Sequence, residues 1–312
     1  MKAHSPGKDP RRAGGAPPLG VARGLLVLAL ASGLALACHR GPGPVHVVSV
    51  RVAEGAVAEP LREAGLDAAT LEEGTRVALA RAGFRLDEGA RAFRARVDVL
   101  SVRLAPDPFA PGGARAELSV EITLTPAAPG EAESARETST AAAPLAGRAP
   151  SDAWRAALAA GANEAARALA LGFAAAEKPV PRLVADLGSN DPRVRDQAVR
   201  ALAERRAPEA VPALVERLSD PDPDVMHRAV GALAELHDPR AVGPLIDAAQ
   251  RGDAAFTARV ARVLGDLGGP EAEGYLLTLA SGHGDPAVRR AAREAVEALR
   301  TRPRTPAVAT GR

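Results

Sequence analysis

The sequence predicts an α+β architecture: a small antiparallel β-sheet domain with two helices, followed by an all-α solenoid of about four helical hairpins. Three observations predict it. From Val180 to Pro303 the chain repeats itself about every 31 residues. Upstream, two alternating stretches are separated by a Pro- and Gly-rich turn. Two further segments carry apolar residues every three or four positions.

The repeat shows in columns. Leu183-Val184, Leu214-Val215, Leu245-Ile246 and Leu276-Leu277 place one pair at one phase. Val194, Val225, Phe256 and Val288 form a second column, and Pro208, Pro239 and Pro270 a third. The last unit is one residue longer, through the turn Gly282-His283-Gly284. Each unit reads as two short helices. In the second unit Val211, Leu214, Val215 and Leu218 mark a helix over 210–218, and Val225, Ala229, Val230, Ala232 and Leu233 mark its partner. Asp220-Pro221-Asp222-Pro223 separates the two and offers carboxylates as caps. Helices this short are marginal alone, so a single hairpin cannot bury its stripe and a stack of them must.

These residues resemble HEAT repeats of the phycobilisome-lyase type. The resemblance rests on Asp191-Pro192-Arg193-Val194-Arg195 and Asp285-Pro286-Ala287-Val288-Arg289, on the Ala-Val-x-Ala-Leu runs at 198–202 and 229–233, and on the Pro-Glu-Ala-Val-Pro link at 208–212. Met226 and Thr257 stand where units two and three depart from the arginine, and Ala254 replaces the proline. The resemblance implies that second helices line a concave face where a protein partner docks. On that face it selects Arg193, Gln197, Arg200, Arg228, Arg259, Arg262, Arg290 and Arg293, a broken arginine ridge suited to an acidic protein segment or an anionic glycan or lipid headgroup; the alternative is a solvated helical face balanced by Asp196, Asp224, Glu294 and Glu297.

The chain divides as a signal peptide (1–37), a lipidated cysteine with a Gly/Pro tether (38–44), an α+β domain (45–177), the repeat domain (178–303) and a disordered tail (304–312). Lys2, Lys8, Arg11, Arg12 and Arg23 make the leader positive, and Gly24 to Ala37 is apolar. That run is shorter than the about 20 residues that cross a bilayer and suits a signal-peptide core. It ends in Ala35-Leu36-Ala37-Cys38, which resembles a bacterial lipobox with alanine where leucine is commoner. Cys38 is the single cysteine of the chain, so no internal disulfide exists. Lipidation of Cys38 explains a lone thiol in an exported protein; the alternative is a plain secretory leader cleaved near Ala37, or an uncleaved anchor, with Cys38 incidental. With His39 after the cysteine in place of aspartate, the resemblance to bacterial lipoproteins implies the outer membrane, periplasmic side.

Within the α+β domain the expected order is β-α-β-β-(β)-α. Val45 to Val52 reads as a strand, and Thr70-Leu71-Glu72-Glu73 as a capping box opening a helix that Gly83 ends. Phe93 to Leu104 alternates with a slip near Val99-Leu100, a bulge signature. Ala116, Leu118, Val120, Ile122 and Leu124 alternate with polar neighbours, and a weaker polar strand lies over 132–142. Ser151 is placed to cap a long helix to Glu177 carrying Trp154, Leu158, Ala162, Ala165, Leu169 and Phe173 on one stripe. In outline this is similar to small periplasmic lipoprotein domains of envelope-assembly factors.

Chemistry is sparse. The histidines (4, 39, 46, 227, 237 and 283) never pair at metal-ligand spacing, so no metal is expected. His227 is expected to be solvated, and His237 and His283 to lie in turns. No nucleophile elbow and no phosphate-cradling loop occurs. Net charge is +2 and the repeats are nearly balanced, which argues against nucleic acid. The expectation is a non-enzymatic envelope lipoprotein without cofactor or small-molecule substrate, acting as a protein–protein interaction scaffold. The alternatives are an assembly or transport accessory whose α+β domain holds an amphiphilic component, and a lyase-like enzyme accessory.

Overall fold

The computed structural model describes residues 43–53, 59–63, 65–128 and 134–301. The leader, Cys38 and the 304–312 tail lie outside the described residues. The chain forms a four-stranded sheet with helices, then a run of helical hairpins.

Strand order is β1 (His46–Val52), β2 (Ala92–Pro106), β3 (Ala114–Pro126), β4 (Ala135–Pro144). β2, β3 and β4 pair antiparallel, whereas β1 lies parallel to β2. The expectation of a wholly antiparallel sheet is corrected at that edge. The reason is the connection: α1 (Glu59–Glu63) and α2 (Ala68–Arg81) intervene, which lets the chain return to the end of the sheet from which it left. The register shifts between Val99 and Ser101, and Leu100 is exposed, so the slip in alternation is a bulge. The five apolar residues of β3 from Ala116 to Leu124 are all fully buried.

Two helix starts differ from expectation. Asp67, not Thr70, caps α2: its carboxylate accepts from the Thr70 amide at 2.8 Å and the Thr70 hydroxyl at 2.7 Å. A carboxylate at this position also meets the positive end of the helix dipole, which the hydroxyl cannot match. Glu73 pairs with Arg76 instead. The long helix α3 (Pro150–Glu177) starts without a side-chain cap, because Pro150 occupies its first turn and has no amide to satisfy. Its buried stripe runs through Trp154, Leu158, Ala162, Ala165 and Leu169. Gly161 faces Val120 and Leu118 of β3 and Ala141 of β4, where a Cβ would meet them at 3.5–3.7 Å, ordinary van der Waals contact.

The hairpins are α4 (Val180–Asp186) with α5 (Pro192–Glu204), α6 (Val211–Glu216) with α7 (Pro223–Leu236), α8 (Val242–Arg251) with α9 (Ala254–Leu267), and α10 (Pro270–Gly282) with α11 (Pro286–Thr301). The first helix of unit two is composite, with 3-10 turns at 208–210 and 217–219 around a short α segment. Leu183, Leu214, Leu245 and Leu276 are each fully buried in one continuous apolar cluster from Ala175 to Val296. Their neighbours Val184 and Val215 are half-buried, and Leu277 is exposed on the final hairpin.

Asparagine-like capping by aspartate recurs at every second helix. Asp191, Asp222, Asp253 and Asp285 each accept from amides of the turn that follows. At the far end of α5, α7 and α9 the chain turns through a left-handed residue in the same column: Arg206 (φ 48), His237 (φ 50) and Gly268 (φ 72). Two of the three positions use a residue with a Cβ where glycine fits at no steric cost.

Arg195 carries the most consequential internal contact. Its guanidinium is buried and donates to both oxygens of buried Asp220 in the next unit, at 2.8 and 2.6 Å. A third nitrogen donates to the Ser189 carbonyl at 2.9 Å. Arg289 repeats that last contact on the carbonyls of His283 and Gly284, at 2.6 and 2.8 Å. Thr257 substitutes for the arginine in unit three by donating to the carbonyls of Ala249 and Asp253. Burial is the largest single influence and pushes the Asp220 carboxyl up, but the Arg195 hydrogen bonds, the Asp222 amide and the charges of Arg195 and Arg217 together outweigh it and hold the group below its ordinary range.

Two predictions follow from these junctions. Arg206→Gly should raise stability by up to about 1 kcal/mol and Arg206→Val should lower it, measured as urea midpoints, because only the glycine relieves the left-handed backbone. Asp220→Ala should cost about 3–5 kcal/mol by leaving Arg195 buried without a counter-charge, while Arg195→Met with Asp220→Ala recovers most of it, since Met226 already occupies the equivalent position. Because the folded carboxyl is more acidic than the unfolded one, its contribution is present above the ordinary Asp range and lost as pH falls through the depressed value. The double variant should lack that part of the acid dependence.

Candidate functional site

The second helices form a row in which α3 is the first member: α3 packs on α5, α5 on α7, α7 on α9 and α9 on α11. One helix therefore serves two cores. Its stripe from Ala153 to Leu169 belongs to the sheet cluster, and Ala175 belongs to the repeat cluster. The face of this row meets the sheet at β4. Alternation puts Glu137 on the same side as Ile122, its cross-strand partner, which is the helix-covered side. There Glu137 is held by Arg200 of α5, and Arg200 also reaches Asp196.

This junction lines two cavities that share Glu137, Gln197 and Arg200 as a common wall. The first, about 880 Å³, runs along β4 between α3, α5 and α7 and extends to Arg259 of α9. The second, about 820 Å³, lies toward Arg91 and Phe173, where the Arg91 guanidinium sits 5.1 Å over the ring.

The ridge residues divide between these settings. Arg193, Gln197, Arg200, Arg228 and Arg259 line the first cavity; Arg262, Arg290 and Arg293 do not. Arg193 is bound to Glu164 of α3 at 2.6 Å, and Arg228 to Asp196 of α5. Gln197 is buried, not presented. Arg259, Arg262, Arg290 and Arg293 are exposed and make no ion pair among the described residues. Arg259 and Arg262 share columns with Gln197 and Arg200. The extra residue in the Gly282-His283-Gly284 turn takes Arg290 and Arg293 out of those columns, a rotation of about 100° per residue on a helix. The ridge is thus stitched into the fold at its N-terminal end and, among the described residues, without ion pairs at its C-terminal end.

His227 is not solvated as expected. It is half-buried in the first cavity with its ring stacked on Phe256 of the next unit, centroids 5.9 Å apart and planes at 25°. Close packing of consecutive second helices brings the two rings together. His237 and His283 do lie in turns, His237 as the left-handed residue after α7 and His283 accepting from the Asp285 amide at 3.1 Å. Of the aspartates at 220–224, Asp222 caps α7 and Asp220 is the buried counter-ion of Arg195, while the Asp224 side chain is exposed.

Sequence reasoning missed Glu137, Thr138, Ser139 and Glu164 as lining residues. The signal was present for Glu137: one charge on a face otherwise made of Ala135, Ser139, Ala141 and Ala143. Among the described residues no group of histidine, cysteine and carboxylate side chains is arranged to hold a metal, and no helix is long and apolar enough to cross a membrane. The walls supply charge, hydrogen bonds and shape, the means of binding a polar macromolecular segment.

A family model for HEAT repeats matches residues 150–217 and 180–259, and its first match takes in α3. Among solved structures, the complex of CpcE and CpcF of phycocyanin lyase from Nostoc sp. PCC7120 is similar at 28% identity, over 40% of this chain and 79% of that one, with a TM-score of 0.32. An engineered protein is similar at 25% identity, over 45% of this chain and 74% of its own, with a TM-score of 0.30. At those scores neither superposition bears on shape. No curated protein matches. The chain carries HEAT repeats, and they begin at the helix that also closes the sheet.

Proposed function

We propose that this protein is a non-catalytic docking scaffold of the cell envelope, tethered through a lipid on Cys38, whose second-helix face receives a protein partner. The observation that carries the reading is the cavity of about 880 Å³ along that face, walled by a sheet edge and three consecutive second helices. HEAT-repeat solenoids suggest protein interaction, and stacked units create extended binding surfaces. The lining offers fixed charge pairs and, among the described residues, an Arg259 without an ion pair, which suits a polar, partly acidic segment of a partner. The Cys38 anchor rests on the sequence Ala35-Leu36-Ala37-Cys38 after an apolar run.

Two measurements test the reading separately. Cys38→Ser should abolish incorporation of labelled fatty acid and release the protein from membranes; labelling equal to the native chain would refute the anchor. A photo-crosslinking residue placed at Arg259 in cells should capture a protein, and one at exposed Asp247 of α8 should not. Equal capture at both positions, or capture at Asp247 alone, would remove the second-helix face as the docking surface.

A further inference from the structure

The two edges of the sheet are treated differently. At β1 the outer edge is occupied: the Val47 amide donates to the Arg85 carbonyl at 2.7 Å, the Arg85 amide to Val45 at 3.0 Å, and the Val52 amide to Glu72 at 3.2 Å. A register shift between Val47 and Ser49 disrupts it further. Such coverage and bulging are the usual means by which a sheet edge is kept from pairing with another chain.

β4 has none of these protections over its middle. Its register with β3 is unbroken from Ala135 to Pro144, and proline enters only at the end. Among the described residues no hydrogen bond from outside β3 reaches its backbone. From Thr138 to Ala143 every side chain is small, so the outward amides and carbonyls are open to approach. This edge does not face open solvent alone: Thr138 and Ser139 line the first cavity opposite Arg193, His227, Arg228 and Arg259.

We propose that β4 is an acceptor edge, and that the partner enters the cavity as an extended peptide adding a fifth strand to the sheet. The inference rests on the docking face above and names what docks there. Main-chain hydrogen bonds to β4 supply affinity, and alternate side chains of the added strand meet the helix wall. Among the described residues Arg193, Arg200 and Arg228 are paired with Glu164, Glu137 and Asp196, Arg259 on α9 makes no ion pair, and Asp222 and Asp224 sit at the start of α7 on the same wall. The strand that fits is therefore polar and extended, with an acidic residue toward α9. A helical partner would leave the β4 backbone groups unused.

The test uses the full-length protein in detergent micelles and random decapeptides selected from a display library. Selected peptides should slow amide exchange across 136–143. N-methylation at every second peptide residue should weaken binding at least about tenfold, with much smaller losses at the residues between, because only one phase of a strand donates to its neighbour. Arg259→Glu should weaken peptides that carry an acidic residue. Peptides that protect the cavity walls with no alternation in the N-methyl series would overturn strand addition while leaving the docking face intact. Protection confined to α6, α8 and α10 would overturn both. Protection of β4 that rises with protein concentration in the absence of peptide would assign the edge to a second copy and likewise overturn the proposal.

Discussion

The repeat half depends on burying one leucine per hairpin in a seam that no hairpin completes alone. Leu183, Leu214, Leu245 and Leu276 have no measurable exposure, and all belong to one cluster reaching from the end of α3 to α11. The helices that carry them are short, so tertiary burial and not intrinsic propensity keeps them helical. At roughly 25 cal/mol per Å², a fully buried leucine contributes about 2 kcal/mol, comparable to a large share of net stability. Leu277, in the same column as half-buried Val184 and Val215, is exposed on α10.

α3 gives the seam its starting point and links it to the sheet. A helix of 28 residues is long enough to lay its first two-thirds on β3 and β4 and still offer a turn to α5. Small residues make this possible: Gly161, Ala162, Ala165 and Ala166 let helix and sheet approach closely. The consequence is functional as well as structural. Because α3 stands in the row of second helices, β4 is brought beside α5 and α7, and the cavity forms at the junction of the two folds.

Periodicity made the architecture legible. A period of 31 placed the four leucines, and alternation placed the five buried residues of β3, because both patterns report directly which side is covered. Caps were less legible. Asp67 and Thr70 both suit a helix start, and the choice between them turns on one carboxylate reaching two donors. Parallel pairing of β1 could not be read from its residues, since Val-rich strands pair either way and the intervening helix does not say on which edge the chain returns. For the ridge, helical phase correctly put Arg193, Arg228 and Arg259 on one side. What phase could not show is that Glu164 lies 29 residues away in sequence yet within 2.6 Å of Arg193, or that Glu137 of a strand holds Arg200. Those acids come from another element, so their neutralising effect is a product of the tertiary fold.

The hairpins and the end of α3 share one continuous apolar seam. Hydrogen exchange on a Leu214→Ala variant tests it most directly. Deleting those buried methyl groups should cost about 2–5 kcal/mol, and exchange should quicken together in α5, α7 and α9 and at the C-terminal end of α3. Acceleration confined to α6 and α7, with the flanking helices as slow as in the native chain, would show independent hairpins and contradict the account.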